Sequence, residues 1–121
     1  MSYKAEKPFS ERKAECSKLI EKFPDRVPII IEPRASFPGK LDKNKYLVPV
    51  DMNVGQVLHL IRRRSKCASH TGIFLFIDNV MPATTARLKD LADNHKSDDG
   101  FLYLNCCGED TYGGFIFHIS Q

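Results

Sequence analysis

Apolar residues recur along the chain with two distinct periods, and these predict most of its elements. Cys16, Leu19, Ile20 and Phe23 fall at i, i+3, i+4 and i+7, one stripe of an amphipathic helix. Ser10 stands where an N-cap would accept a backbone N–H, and Pro24 stops the pattern, so a helix is expected over about residues 11–22. A shorter helical turn is expected around Tyr3–Lys7, halted by Pro8. Val27-Pro28-Ile29-Ile30-Ile31 reads as a strand, with Pro28 arguing for a strand start or an edge position. The segment Pro33–Lys40 carries two prolines and a glycine and reads as a loop. Tyr46-Leu47-Val48-Pro49 is a second short strand that can pair with the first as a hairpin.

Asn53 followed by Gln56 has the pattern of a capping box, and Val54, Val57, Leu58 and Ile61 carry a helix to about Ser65 or Cys67. Ile73-Phe74-Leu75-Phe76-Ile77 is apolar at successive positions and is expected to be a central strand covered on both faces. Asp78-Asn79 forms a turn and Val80-Met81 a brief strand. Thr84 or Thr85 is expected to cap a short helix through Leu88 and Leu91, and Phe101-Leu102-Tyr103-Leu104 opens the last strand. A hairpin, a helix and further strands after a helical start define an α+β class, one sheet wrapped on a helix.

Composition narrows the function rather than the fold. The chain has 121 residues, 42% hydrophobic and 27% charged, ordinary globular usage. No run approaches the ~18 apolar residues of a membrane span, and the N-terminal stretch lacks an apolar core, so no signal peptide is expected. Eighteen Lys plus Arg against fifteen Asp plus Glu give a net charge of +3, unevenly spread. Lys40 to Lys66 is basic, Arg87 to Asp110 acidic, and Arg62-Arg63-Arg64 is the densest basic run. Without an interleaved aromatic signature this run gives no basis for nucleic-acid binding and reads first as a solvated helix face. Cys16, Cys67, Cys106 and Cys107 fit no Cys-x-x-Cys motif, and His59, His70, His95 and His118 are scattered. Free thiols, no metal site, no cofactor and no catalytic constellation are expected. Adjacent Cys106 and Cys107 would point to opposite faces of a strand, so at least one should be buried.

A collinear set of segments then carries a family resemblance: Pro8-Phe9, Lys22-Phe23-Pro24-Asp25-Arg26-Val27-Pro28, and Leu41-Asp42-Lys43-Asn44-Lys45-Tyr46-Leu47-Val48-Pro49. It continues through Val54-Gly55-Gln56, Ile61-Arg62-Arg63-Arg64, Asp99-Gly100-Phe101-Leu102-Tyr103 and Gly108-Glu109-Asp110-Thr111-Tyr112-Gly113. Over about residues 4–113 the chain resembles the autophagy ubiquitin-like modifiers, which include light chain 3 and the GABA-receptor-associated proteins. The resemblance implies a ubiquitin-like β-grasp with two additional N-terminal helices. Residues 1–25 would be the helical extension, 26–113 the ubiquitin-like domain and 114–121 a C-terminal propeptide. Such proteins are not enzymes. A cysteine protease trims them after a glycine, E1-like and E2-like enzymes pass on the freed carboxylate, and phosphatidylethanolamine receives it. A cytoplasmic monomer that moves to autophagosome membranes when lipidated is therefore expected, with autophagy receptors as partners.

Carried onto this sequence, the acceptor and processing site is Gly113, with cleavage after Gly114 as a variant. A glycine suits a terminus that must thread narrow enzyme clefts. On the residues alone Gly113-Gly114 reads as a turn. Receptors carry an aromatic residue, two variable ones and an aliphatic one, and such a peptide adds a strand to a sheet edge. The resemblance implies an aromatic pocket of Glu15, Leu19, Pro28, Ile30, Lys45, Leu47 and Phe101. It implies an aliphatic pocket of Tyr46, Val48, Pro49, Met52, Val57, Leu60 and Arg64, with Arg26 nearby. Several apolar members are expected to be core, whereas Lys45 and Arg64 have no reason in core packing and suit acidic flanking residues. Val57 stands where relatives often have an aromatic residue, so the second pocket should be roomier.

The tail Gly114–Gln121 lies beyond the resemblance. Phe115, Phe117 and Ile119 alternate as in a strand, and neither Phe115 nor Phe117 has an aliphatic residue three positions on. The alternative function is a non-conjugated ubiquitin-like peptide-binding adaptor that keeps this tail.

Overall fold

The structure is a computed structural model that describes residues 2–67 and 71–108. Gly113, Gly114 and the whole tail therefore lie outside the described residues. Two helices come first, α1 (Tyr3–Glu6) and α2 (Phe9–Lys22), followed by the strands β1 (Arg26–Pro33) and β2 (Lys45–Pro49). Helix α3 (Val54–Ser65), strand β3 (Ile73–Phe76), helix α4 (Leu88–His95) and strand β4 (Leu102–Gly108) complete the order.

The sheet runs β2-β1-β4-β3, with β1 and β4 parallel and the outer pairs antiparallel. Its two faces carry separate clusters, as the period-2 alternation of strand side chains requires. Val27, Ile29 and Ile31 of β1 join Leu102, Leu104 and Cys106 of β4 in the larger core, together with Val54, Val57 and Ile61 of α3 and Leu88 of α4. Ile30 faces the other way and meets Tyr3, Cys16 and Phe101, with Leu19 and Tyr103 beside them. The architecture is therefore helix pair, mixed sheet, helix pair. The unbroken apolar run of β1 follows from cover on both faces.

The hairpin of β1 and β2 forms as expected, Pro28 opposite Leu47 and Ile30 opposite Lys45. The expected edge placement for Pro28 needs correction, because β1 lies between β2 and β4. Proline is tolerated there because the parallel pairing begins only at Ile29, one residue later. The expected central position of Ile73–Ile77 is also corrected: β3 is the outer strand among the described residues. Ile73, Leu75 and Phe76 are nonetheless buried, Ile73 and Leu75 in the core shared with α3, while Phe74 is half-exposed.

Side chains cap α1 and α3, at Ser2 and Asn53, whereas α2 and α4 start without a side-chain cap. At α3 the Asn53 side chain accepts from Gln56 N at 2.9 Å while Gln56 Oε1 accepts from Asn53 N at 2.8 Å, the full capping box. By contrast α2 starts at Phe9, with Pro8 at its N-cap and Ser10 already inside the first turn. The first residue of α4 follows Arg87, not Thr84 or Thr85. Thr84 O and Ala86 O instead accept from Gly55 N and Val54 N, tying this loop to the start of α3. Asp78 and Asn79 both take positive φ, 51° and 64°, closing a two-residue turn between Ile77 and Val80. That arrangement suits the primed hairpin turns.

Candidate functional site

The site begins with the parity of the β1–β2 ladder. Ile31 N donates to Asn44 O at 2.8 Å and Val50 N to Asp25 O at 3.2 Å. In an antiparallel pair directly bonded residues alternate with unbonded ones. Ile29–Tyr46 and Val27–Val48 are therefore bonded pairs, and Ile30–Lys45 and Pro28–Leu47 are not. Proline, which has no N–H, falls in an unbonded pair, as it must. It follows that the main-chain N–H and C=O of Lys45 and Leu47 point away from β1. No described strand lies beyond β2. Pro49 cannot extend this row, since it lacks an N–H and its carbonyl accepts from Met52 N at 3.0 Å.

A cavity of about 420 Å³ runs along this edge. Leu19 of α2 forms one side, Leu60 and Arg64 of α3 the other, and Lys45, Tyr46, Leu47, Val48 and Pro49 the floor. Met52 and Arg26 close one end and Lys43 contributes a further cation. Tyr46 and Val48 are buried into the α3 side, while Leu19, Leu47, Pro49, Met52 and Leu60 are half-exposed apolar surface. The lining has four cationic side chains, Arg26, Lys43, Lys45 and Arg64, and no carboxylate. Arg26, Lys43 and Arg64 are exposed. Such a groove favours an extended, partly apolar chain with negative charge near its ends.

The remaining residues expected at the pockets are placed differently. Pro28 is buried within the sheet, and Ile30, Val57 and Phe101 are fully buried. Val57 packs in the α3 core and does not line the cavity, so its small size opens no extra room there. Glu15 sits beside the groove, its carboxylate accepting from Lys45 Nζ and from the Tyr3 hydroxyl. Burial works against the Glu15 charge, yet the hydrogen bonds from Lys45 and Tyr3 and the nearby charges of Lys45 and Lys7 outweigh it. They hold the carboxyl below its usual pKa. Sequence reasoning missed Lys43, although the basic run Lys43-Asn44-Lys45 was visible. It also missed Tyr3, whose position on a separate short helix gave no signal.

Behind the groove an ionic network fixes the helical extension. Arg12 Nε donates to Asp99 Oδ2 at 2.9 Å, and both side chains are buried. Asp99 also accepts from Phe101 N and from the Tyr103 hydroxyl, while Arg12 Nη1 donates to Lys4 O and Lys7 O at 3.0 and 2.7 Å. Gly100 lets the chain turn into β4 beside them. Its φ is 96°, and a Cβ there would lie 2.8 Å from Cys16 Sγ.

A four-stranded mixed sheet grasping a helix, with two helices on its outer face and a peptide-sized groove at one edge, defines the ubiquitin-like class. A family model described as "Autophagy protein Atg8 ubiquitin like" matches residues 11–113. The chain is 45% identical over 114 residues to Autophagy-related protein 8 of Colletotrichum lindemuthianum, covering 93% of this chain and 94% of that one. It is 41% identical over 117 residues to Autophagy-related protein 8d of Arabidopsis thaliana, covering 95% and 97%. Among solved structures, Trypanosoma brucei ATG8 is similar at a TM-score of 0.85 and 33% identity, covering 90% of this chain and 95% of that one. Plasmodium falciparum Atg8, solved in complex with a Plasmodium falciparum Atg3 peptide, gives a TM-score of 0.78 at 31% identity, covering 90% and 99%.

The chain belongs to the Atg8 family of autophagy-related ubiquitin-like proteins. Proteins of this family are modifiers and adaptors rather than enzymes. Among the described residues no helix is long and apolar enough to cross a membrane.

Proposed function

We propose that this chain is a processed, lipid-conjugated modifier that recruits receptors through the β2 edge. The observation that carries the recruiting role is the outward pair of main-chain groups at Lys45 and Leu47 beside a cation-rimmed cavity. A peptide entering as an added strand would satisfy those groups, seat apolar side chains against Leu19, Leu47, Met52 and Leu60, and place acidic flanks near Arg26, Lys43 and Arg64. An aromatic-x-x-aliphatic motif meets these demands. The Plasmodium falciparum relative in complex with an Atg3 peptide supports peptide capture by this fold and an E2-like conjugation partner for this chain.

Conjugation rests on the family and on register. The family match ends at Gly113, preceded by Thr111-Tyr112. In this reading a cysteine protease removes residues 114–121, and E1-like and E2-like enzymes join Gly113 to phosphatidylethanolamine. The covalent lipid then holds a cytoplasmic protein on autophagosome membranes.

The intact mass of protein recovered from its own cells tests this part. Loss of the last eight residues and a lipid-bearing form are expected, and Gly113→Ala should abolish both while leaving the fold intact. A persistent Gln121 terminus with no lipidated form would favour the adaptor that keeps its tail.

A further inference from the structure

The aromatic half of the expected groove is filled by the chain itself. Ile30 and Phe101, expected to line it, are both 0% exposed, packed with Tyr3, itself 4% exposed, and with Cys16, Leu19 and Tyr103. The Tyr3 ring stands edge-on to Phe101, 5.6 Å between centroids at 80°. Its hydroxyl donates to Glu15, the carboxylate that also accepts from Lys45 Nζ on the β2 edge. The Lys45 ammonium lies 5.7 Å from the centre of the same ring.

We propose that Tyr3 is a resident occupant of the aromatic subsite, latched through Glu15 to Lys45, and that a receptor's aromatic side chain binds by displacing it. The proposal rests on the groove being a peptide site. It is carried by full burial: Phe101 and Ile30 are 0% exposed, so an incoming ring reaches them only when a residue packed on them moves, and Tyr3 is the one on a four-residue helix tied to the β2 edge through Glu15. The open cavity accordingly takes in Leu19, Lys45 and Leu47 but neither Ile30 nor Phe101.

Helix α1 has four residues, far below the length at which a helix persists alone. It is held by the Ser2 cap, by Tyr3 N donating to Glu32 at 3.1 Å, and by the Arg12 bonds to Lys4 O and Lys7 O. Losing the Tyr3 anchor removes its one buried side chain. An acidic residue flanking the receptor's aromatic residue would compete with Glu15 for Lys45 and so open the latch as the ring enters. The apparent affinity is then the intrinsic affinity scaled by the fraction of molecules with Tyr3 out.

Calorimetry on the full chain tests this, using a short synthetic peptide with an acidic flank, a tryptophan, two variable residues and a leucine. Tyr3→Ala should tighten binding by about tenfold, and Tyr3→Phe, which keeps the ring and loses the latch bond, by about twofold. A peptide with alanine in place of tryptophan should show no gain. Hydrogen exchange on the wild-type chain needs no substitution: peptide saturation should lower the protection of the Glu6 and Lys7 amides. Equal affinity for wild type and Tyr3→Ala, or unchanged protection under saturation, would overturn the latch and leave the groove standing. Weaker binding by Tyr3→Ala would make Tyr3 a wall of the site and also overturn it. No binding by any form would remove the groove reading, and the latch with it.

Discussion

At the scale of single residues, burial decides which thiols and carboxyls can act. Burial, with the charge of Asp99 adding to it, pushes the Cys16 thiol up to about 11. Burial, reinforced by Cys107 and Cys67, pushes Cys106 up to about 12. Cys107 is likewise raised by burial. Because the thiolate is the nucleophile, iodoacetamide at pH 8 should label half-buried Cys67 first and the other three only after denaturation. Peptide mass mapping reads this, and simultaneous labelling of all four would contradict it. The sequence indicated that Cys106 or Cys107 would be buried. Both are, Cys106 in the core shared with α3 and Cys107 on the opposite face of β4, paired with Phe74 of β3. Glu15 runs the other way. Its folded pKa is lowered, so the stabilisation it gives the α1 latch is present above the usual carboxylate value and fades as pH falls through the lowered one. An NMR titration should find Glu15 below the usual carboxylate range, and Lys45→Ala should move it back up.

At the scale of elements, the start of α3 was readable and the seating of α2 was not. The Asn53–Gln56 box is a spacing rule, and Asn53→Ala should cost about 1 kcal/mol in thermal or denaturant unfolding. The N-terminal helices are held by an ion pair whose partners stand 87 positions apart, and no periodicity points to it. Asp99 has a fully buried side chain and Arg12 is nearly so. Removing one partner strands the other charge, so Arg12→Ala should cost about 3–5 kcal/mol. Unfolding in urea with matched slopes would measure it, and a loss under 1 kcal/mol would mean the pair is solvated in solution. Ser10, Thr84 and Thr85 looked like caps by the same spacing rules that found Asn53. With Pro8 preceding α2, and with the loop before α4 tied to α3, those helix starts fall two or three residues away from the expected caps, a weak local preference overridden by its surroundings.

At the scale of the whole molecule, the groove exists because three distant segments meet at one sheet edge: Leu19 from α2, the β2 strand, and Leu60 with Arg64 from α3. The resemblance implied these positions, and Lys45 and Arg64 were legible as cations that a core would reject. The depth of each residue was not legible. Ile30, Val57 and Phe101 look like Leu47 or Met52 in sequence, and only the layering of helices on both sheet faces separates core from lining. The register yields the sharpest test of the edge. The Leu47 N–H points away from β1, so proline at this position removes no bond of the β1–β2 ladder, and edge strands accept proline where the N–H faces outward. Leu47→Ala takes away the side chain alone, whereas Leu47→Pro also deletes a donor that strand addition requires. If the peptide enters as a strand, both variants should remain folded by circular dichroism. Leu47→Ala should weaken peptide binding by about tenfold, and Leu47→Pro by at least a further tenfold, about one lost hydrogen bond in a desolvated edge. Equal affinities for the two variants would mean that the groove holds its ligand by side chains alone, and the outward row at Lys45 and Leu47 would then have no part in recognition.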